Sequence, residues 1–238
     1  MKRTAILFGI AALAFASPAF AQPFFDNFDG YANGANLHGV GGWLGWDNDP
    51  NSAGFVTNAQ ANSAPHSLAI DGTAPPGNVS DLVQEFSTTG TGSYTLTVDT
   101  YFPANSTGAQ FFIMLNTYNV GGTKNWSTQT QFDHSTGMVT ETDTGIPVSG
   151  SVPIVYDRWT PIEMVIDLNA DTVSFSYNNA SVFSGQPWSQ GGAVDIGAVD
   201  LWSNFASVMY YDNFNVTPEP SALSLLALGG AMLLRRRR

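Results

Sequence analysis

Ile162-Glu163-Met164-Val165-Ile166-Asp167-Leu168 puts Ile162, Met164, Ile166 and Leu168 on one side of an extended chain and Glu163, Val165 and Asp167 on the other. A period of two marks a strand with one buried face. Asn169-Ala170-Asp171 then interrupts the pattern as a turn, and Thr172 to Tyr177 resumes it, with Val173, Phe175 and Tyr177 alternating against Ser174 and Ser176. Two such runs joined by a short Asn/Asp turn form an antiparallel hairpin, and Asn178-Asn179 is a second turn of the same kind.

The same alternation recurs outward from this hairpin. Tyr94, Leu96 and Val98 share a face opposite Thr95, Thr97 and Asp99. Further strand-like runs are Ser80–Phe86, Ala109–Tyr118, Asn125–Phe132, Gly137–Thr142, Ser181–Gly185, Val194–Trp202 and Val208–Val216, each bounded by Gly, Pro, Asn or Asp. No stretch between Pro23 and Val216 holds a helical period. The expectation is an all-β, two-sheet antiparallel sandwich forming one domain over residues 22–216, with Trp159, Phe175 and Phe214 in its core.

Charge and composition narrow the function. Residues 22–217 hold every acid but Glu219, 18 in all, against Lys124 and Arg158 alone, a balance of −16. Such a body repels a phosphate backbone, which excludes a nucleic-acid partner. With no cysteine among 238 residues, disulfide scaffolds, thiolate metal sites and thiol chemistry are excluded as well.

The two ends carry a different grammar. Residues 1–21 have the parts of a signal peptide: basic Lys2 and Arg3, an apolar run from Ala5 to Ala16, and the cleavage site Ala19-Phe20-Ala21. Residues 217–238 place Pro218-Glu219-Pro220 before the apolar run Ala222–Leu234 and the basic Arg235–Arg238. As a single helix, Ser221–Leu234 would span roughly 21 Å, a marginal length for a bilayer core of about 30 Å. This order resembles the PEP-CTERM sorting domain of bacterial exported proteins. The resemblance implies a transmembrane stage, processing near Pro218, Glu219 and Pro220 by an exosortase-type enzyme, and release to the cell surface or extracellular matrix.

Within the body, Asp157-Arg158-Trp159-Thr160-Pro161-Ile162-Glu163, running into Ile166-Asp167-Leu168 and Thr172-Val173-Ser174-Phe175, is similar to concanavalin A-like and laminin-G-like jelly rolls. Phe25-Asp26-Asn27-Phe28-Asp29 and Tyr211-Asp212-Asn213-Phe214 resemble the terminal strands of that class, which often lie side by side. The resemblance implies a structural calcium held by Asp26 or Asp29 with Asp212. It also admits lectins, binding modules, hydrolases and lyases alike.

The strongest binding candidate is Gly39 to Asn51. Trp43 and Trp46 flanked by glycines are expected outside a buried strand. Either they offer faces for sugar rings, with Asp47, Asn48 and Asp49 bonding hydroxyls, or one plugs an end of the sandwich. Tyr118 and Trp126, with Asn116 and Asn125, form a second aromatic-polar group around the Gly121-Gly122 turn. For catalysis, Glu163 and Asp167 share a face but lack an intervening acid, and His134 reads as a turn residue. No nucleophile elbow, metalloprotease helix or phosphate loop is present. The favoured reading is therefore a non-catalytic exported protein that binds a polysaccharide matrix. A glycoside hydrolase or lyase of the same fold and a purely structural matrix component are the alternatives.

Overall fold

The structure, a computed structural model, describes residues 23–73, 79–86, 90–142 and 150–219. The expected signal peptide and the apolar run after Pro220 lie outside the described residues. Among the described residues fifteen strands follow one another: β1 (Phe24–Asp26), β2 (Trp43–Gly45), β3 (Phe55–Thr57), β4 (Ser67–Ile70), β5 (Asp81–Glu85), β6 (Ser93–Tyr101), β7 (Ala109–Tyr118), β8 (Lys124–Asp133), β9 (Met138–Glu141), β10 (Ser151–Pro153), β11 (Thr160–Asp167), β12 (Thr172–Tyr177), β13 (Ala180–Pro187), β14 (Ala198–Asn204) and β15 (Met209–Pro218). Two short 3₁₀ turns, Trp46–Asn48 and Pro50–Ser52, separate β2 from β3.

The strands form two antiparallel sheets. One runs β13-β12-β11-β6-β15-β4-β3 with β1 added beside β15, and the other runs β10-β9-β8-β7-β14-β5-β2. The alternation read from sequence decides the packing. Ile162, Met164 and Ile166 on β11 and Val173, Phe175 and Tyr177 on β12 meet Leu82, Phe112, Met114, Val199 and Leu201 from the opposite sheet in one core. Each large aliphatic or aromatic side chain sealed there contributes about 1.5–3 kcal/mol. The hairpin turns form where Asn and Asp were expected, with Asp171, Asn178 and Asn179 all at positive φ.

Several boundaries differ from the sequence reading. The chain expected to be strand from Val194 begins pairing only at Ala198, and β15 continues past Val216 to Pro218, opposite Tyr94. The domain thus reaches into the Pro-Glu-Pro motif, and Glu219 closes it by donating its N–H to the Ser93 carbonyl at 2.7 Å. Trp159 is part-exposed and packs on Tyr101 at 5.6 Å rather than entering the core, whereas Phe175 and Phe214 are buried as expected. Among the described residues no helix is long and apolar enough to cross a membrane.

β7, β14 and β5 carry apolar residues on both faces. Phe112, Met114, Val199, Leu201 and Leu82 point into the core, while Phe111, Ile113, Leu115, Val83 and Ala198 form a second cluster on the face turned away from it. A strand in a solvated sheet alternates apolar with polar. These outer residues are nevertheless buried, because Trp46, Ala109 and Trp202 pack over them.

Candidate functional site on the outer sheet face

Trp46 packs on the second apolar cluster, and the residues around it assemble from three parts of the chain. Its ring stacks on Trp126 of β8 at 6.2 Å and 28°, and meets the edge of Tyr118 at the end of β7 at 5.2 Å. Lys124, at the start of β8, holds its ammonium 5.0 Å from the Trp46 ring and 5.4 Å from Tyr118. Asp47 locks the group together. Its Oδ1 accepts from Lys124 Nζ at 2.5 Å and from Gly121 N at 2.8 Å, while its own N–H donates to Tyr118 Oη at 2.9 Å.

The electrostatics follow from these contacts. The Lys124 ammonium, and then the Gly121 N–H, hold the Asp47 carboxyl below the usual carboxylate range. Burial pushes the Tyr118 hydroxyl up to about 12, and the charges of Asp47, Asp200 and Glu85 push in the same direction. Asp47 and Asn48 sit at φ 51° and 65°, a backbone region that non-glycine residues adopt at some cost.

Of the sequence-predicted residues, Trp46, Asp47, Tyr118 and Trp126 come together. Asn48 and Asp49 do not join them: both are exposed, and the Asp49 carboxylate turns back to accept from Asn51 N and Nδ2, both at 2.9 Å. Asn116 and Asn125 tie the neighbouring loop instead, each donating to the Gly191 carbonyl.

Trp43 requires a correction. It lies in β2, paired with Gln84 of β5, and is 0% exposed. Its ring meets Phe214 at 5.5 Å and Phe24 at 5.9 Å, and its Nε1 donates to Asp26 Oδ2 at 2.9 Å. It is a core residue and offers no face to a sugar. The flanking glycines make this burial feasible. Gly41 has φ +64° and an added Cβ would strike the Tyr31 hydroxyl, while a Cβ at Gly45 would strike the Asp49 carbonyl. Glycine here lets the chain crowd inward and does not mark an open loop.

The acids that the resemblance assigns to calcium lie near the paired terminal strands. β1 does pair with β15, with Asp26 opposite Phe214, so the terminal strands are neighbours as expected. The acids, however, face donors. Asp26 accepts from Phe28 N, Tyr31 Oη and Trp43 Nε1, and Asp29 from Asn27 Nδ2 and His66 N. Asp212 accepts from Asn62 N, Ser63 N, Ser63 Oγ and Asn213 N. Each of these carboxylates is thus engaged by donors of the protein itself, three on Asp26, two on Asp29 and four on Asp212. Among the described residues no group of three or more acids and histidines is set to hold a metal.

Sequence reasoning missed two acids on the same outer face as Trp46. Asp81 on β5 pairs with Trp202 of β14, and Asp200 pairs with Val83, so the two aspartates are diagonal neighbours across adjacent strands. Trp202 stacks on Phe111 beside them at 4.8 Å and 23°. Asp200 is 3% exposed, and Oδ1 of each aspartate is buried without a protein donor among the described residues. Two acceptor groups in contact are satisfied when one carries a proton. Burial pushes Asp81 up to about 6, offset by a hydrogen bond from Asp200 and reinforced by the Asp47 charge. Burial raises Asp200 well above the carboxylate range, and the Asp81 charge adds to it. Asp200 therefore keeps its proton and donates to Asp81. The sequence signal was Val199-Asp200-Leu201, an acid between two large aliphatics within a strand.

His134 is more than a turn residue. Nδ1 lies 3.1 Å from Tyr156 Oη and Nε2 lies 3.2 Å from Gln110 Oε1, and burial lowers its pKa to about 4. Glu163, by contrast, is exposed on the outer face of the other sheet, and the Asp167 carboxylate accepts from Asn169 N and Ala170 N in the turn that follows it.

No family model and no curated protein matches this chain. Among solved structures, the alginate lyase Aly36B is similar at a TM-score of 0.52 and 16% identity, over 83% of this chain and 97% of its own. The globular domain of T. cruzi calreticulin is similar at 0.52 and 11%, over 82% of this chain and 90% of its own. A Trypanosoma rangeli sialidase mutant displaying trans-sialidase activity reaches 0.50 and 12%, over 72% of this chain but 28% of the sialidase chain. At these identities the likeness shows the β-sandwich fold alone.

Proposed function

We propose that the sandwich binds a glycan on the outer face of the β10–β2 sheet, and that the protein is exported to do so at the cell surface or in the extracellular matrix. The observation that carries the reading is the Trp46–Trp126 stack, with Trp126 39% exposed and the Trp46 ring set against Tyr118 and against the Lys124 ammonium that Asp47 binds. Indole faces beside fixed polar groups are how a shallow site recognises sugar rings. Two of the structural neighbours named above are an alginate lyase and a sialidase, which agrees with a glycan ligand. Export is supported by the signal-peptide pattern of residues 1–21 and by Pro218-Glu219-Pro220 ahead of the apolar and basic tail, which resembles a PEP-CTERM domain processed by an exosortase-type enzyme.

Affinity electrophoresis through gels containing single soluble polysaccharides tests the site. The mature protein is retarded by at least one of them, and Trp46→Ala abolishes the retardation while the fold persists. Equal retardation of Trp46→Ala and wild type would refute the platform.

A further inference from the structure

The outer face of the β10–β2 sheet continues beyond Trp46. Strand register sets its residues in three rows, because directly opposed residues share a face. Trp126, Leu115, Ala198 and Glu85 form one row, and Gln129, Ile113, Asp200 and Val83 the next. Gln131, Phe111, Trp202 and Asp81 form the third. The first and third rows stand four residues apart along β7, roughly 13 Å. Each carries an indole: Trp126 in the first, and Trp202, part-exposed and stacked on Phe111, in the third. Part-exposed Gln129 and Gln131 border this track from β8, and Asp81 and Glu85 border it from β5.

The acid beside Trp202 has no counter-charge from the body of the protein. Asp81 is the residue directly across from Trp202, so its part-exposed side chain stands next to the indole. Its diagonal neighbour Asp200 is 3% exposed, and Oδ1 of each acid is buried without a donor among the described residues. Residues 22–217 hold one lysine and one arginine. Lys124 is bound to Asp47, and Arg158 donates to Asn178.

We propose that the glycan bound on this face is a linear amino-sugar chain, a hexosamine polymer with free amino groups, and that Trp202 and Asp81 form a second subsite that stacks one ring and binds its ammonium. This inference rests on the reading of the face as a glycan site. An indole accepts the ring whatever its charge, and the carboxylate discriminates. A sugar ammonium brings three donors and the missing positive charge. A neutral ring laid on Trp202 would strip water from Asp81 and leave it unpaired, and a uronic acid would set a like charge against it. The distance between the two indoles suits several linked rings rather than a single sugar. The balance of −16 over residues 22–217 adds long-range attraction for such a chain.

Calorimetric titration with a linear glucosamine tetramer, and with the same tetramer fully N-acetylated, tests the proposal slightly above the pH of about 6 at which Asp81 ionises. Wild type is expected to bind the free-amine tetramer at least about 10-fold more tightly, the ratio that one charged hydrogen-bonded contact supplies. Asp81→Asn keeps the shape and removes the charge, so the preference disappears while affinity for the N-acetylated tetramer holds. Trp202→Ala weakens both tetramers alike. Glu163→Gln, which removes a charge from the exposed outer face of the other sheet, keeps the wild-type preference. Three results would overturn the amino-sugar assignment: equal affinities in wild type, no binding of either tetramer, or a loss of preference in Glu163→Gln as large as in Asp81→Asn. The Trp46 platform survives them if some polysaccharide still retards wild type and not Trp46→Ala. If neither tetramer binds and no polysaccharide retards wild type, both readings fall.

Discussion

Trp43 and Trp46 stand three residues apart between glycines, and their environments are opposite. Trp43 is sealed with Phe24, Phe28 and Phe214, and its N–H satisfies the buried Asp26. Trp43→Phe removes that donor and leaves the carboxylate short of a partner, so the protein is expected to lose roughly 2 kcal/mol in urea denaturation. Its glycan retardation is expected to stay as in wild type. Trp46→Ala gives the reverse, with small loss of stability and loss of retardation. If the two variants behaved alike in both assays, the assignment of one to the core and the other to the surface would be wrong. Both indoles were legible in the sequence as candidates. The choice between them was not, because glycine permits a tight inward approach as readily as an open loop.

Among the elements, β15 is the clearest case of long-range assembly. It pairs with β1, β4 and β6, and the buried Asp212 on it gathers the Asn62-Ser63 loop through three of the four donors described above, the fourth being the N–H of Asn213 on β15 itself. Replacing Asp212 by Ala strands those donors, and a loss of about 3–5 kcal/mol is expected, comparable to removing one partner from a buried charged network. EDTA is expected to leave the melting temperature unchanged, because the protein's own N–H and O–H groups already bond the acids that resemblance assigned to calcium. A fall of several degrees with EDTA, reversed by added calcium, would contradict that account. The strands themselves were well marked: β7 runs from Ala109 to Tyr118 as the alternation and punctuation indicated. β2 escaped notice because it has three residues, one of them glycine, too few to show a period.

Across the whole molecule, two partly buried groups pull stability in opposite directions with pH. Asp81 titrates near 6 in the folded chain and near 4 when unfolded. Its folded form therefore costs nothing below pH 4, and stability falls as pH rises from 4 through 6. His134 titrates near 4 folded and about 6.5 unfolded, so its contribution is complete above 6.5 and is lost as pH drops toward 4. Urea midpoints measured from pH 4 to 7 are expected to rise on the neutral side in Asp81→Asn and on the acid side in His134→Gln, relative to wild type. Identical profiles in all three proteins would show that neither group is buried as described. What the sequence determined by itself was local: the period of two, the turns, the acidic body and the residues that share a face within each strand. Those properties are written in neighbouring residues, so they survive without knowledge of the fold. The tertiary structure alone decided that β5 and β14 lie side by side, which brings Asp81 onto Asp200 beside Trp202, and that β2 buries Trp43 while the turn after it leaves Trp46 outside. Strand order comes from how two sheets close over one shared core, and no single stretch of chain carries that information.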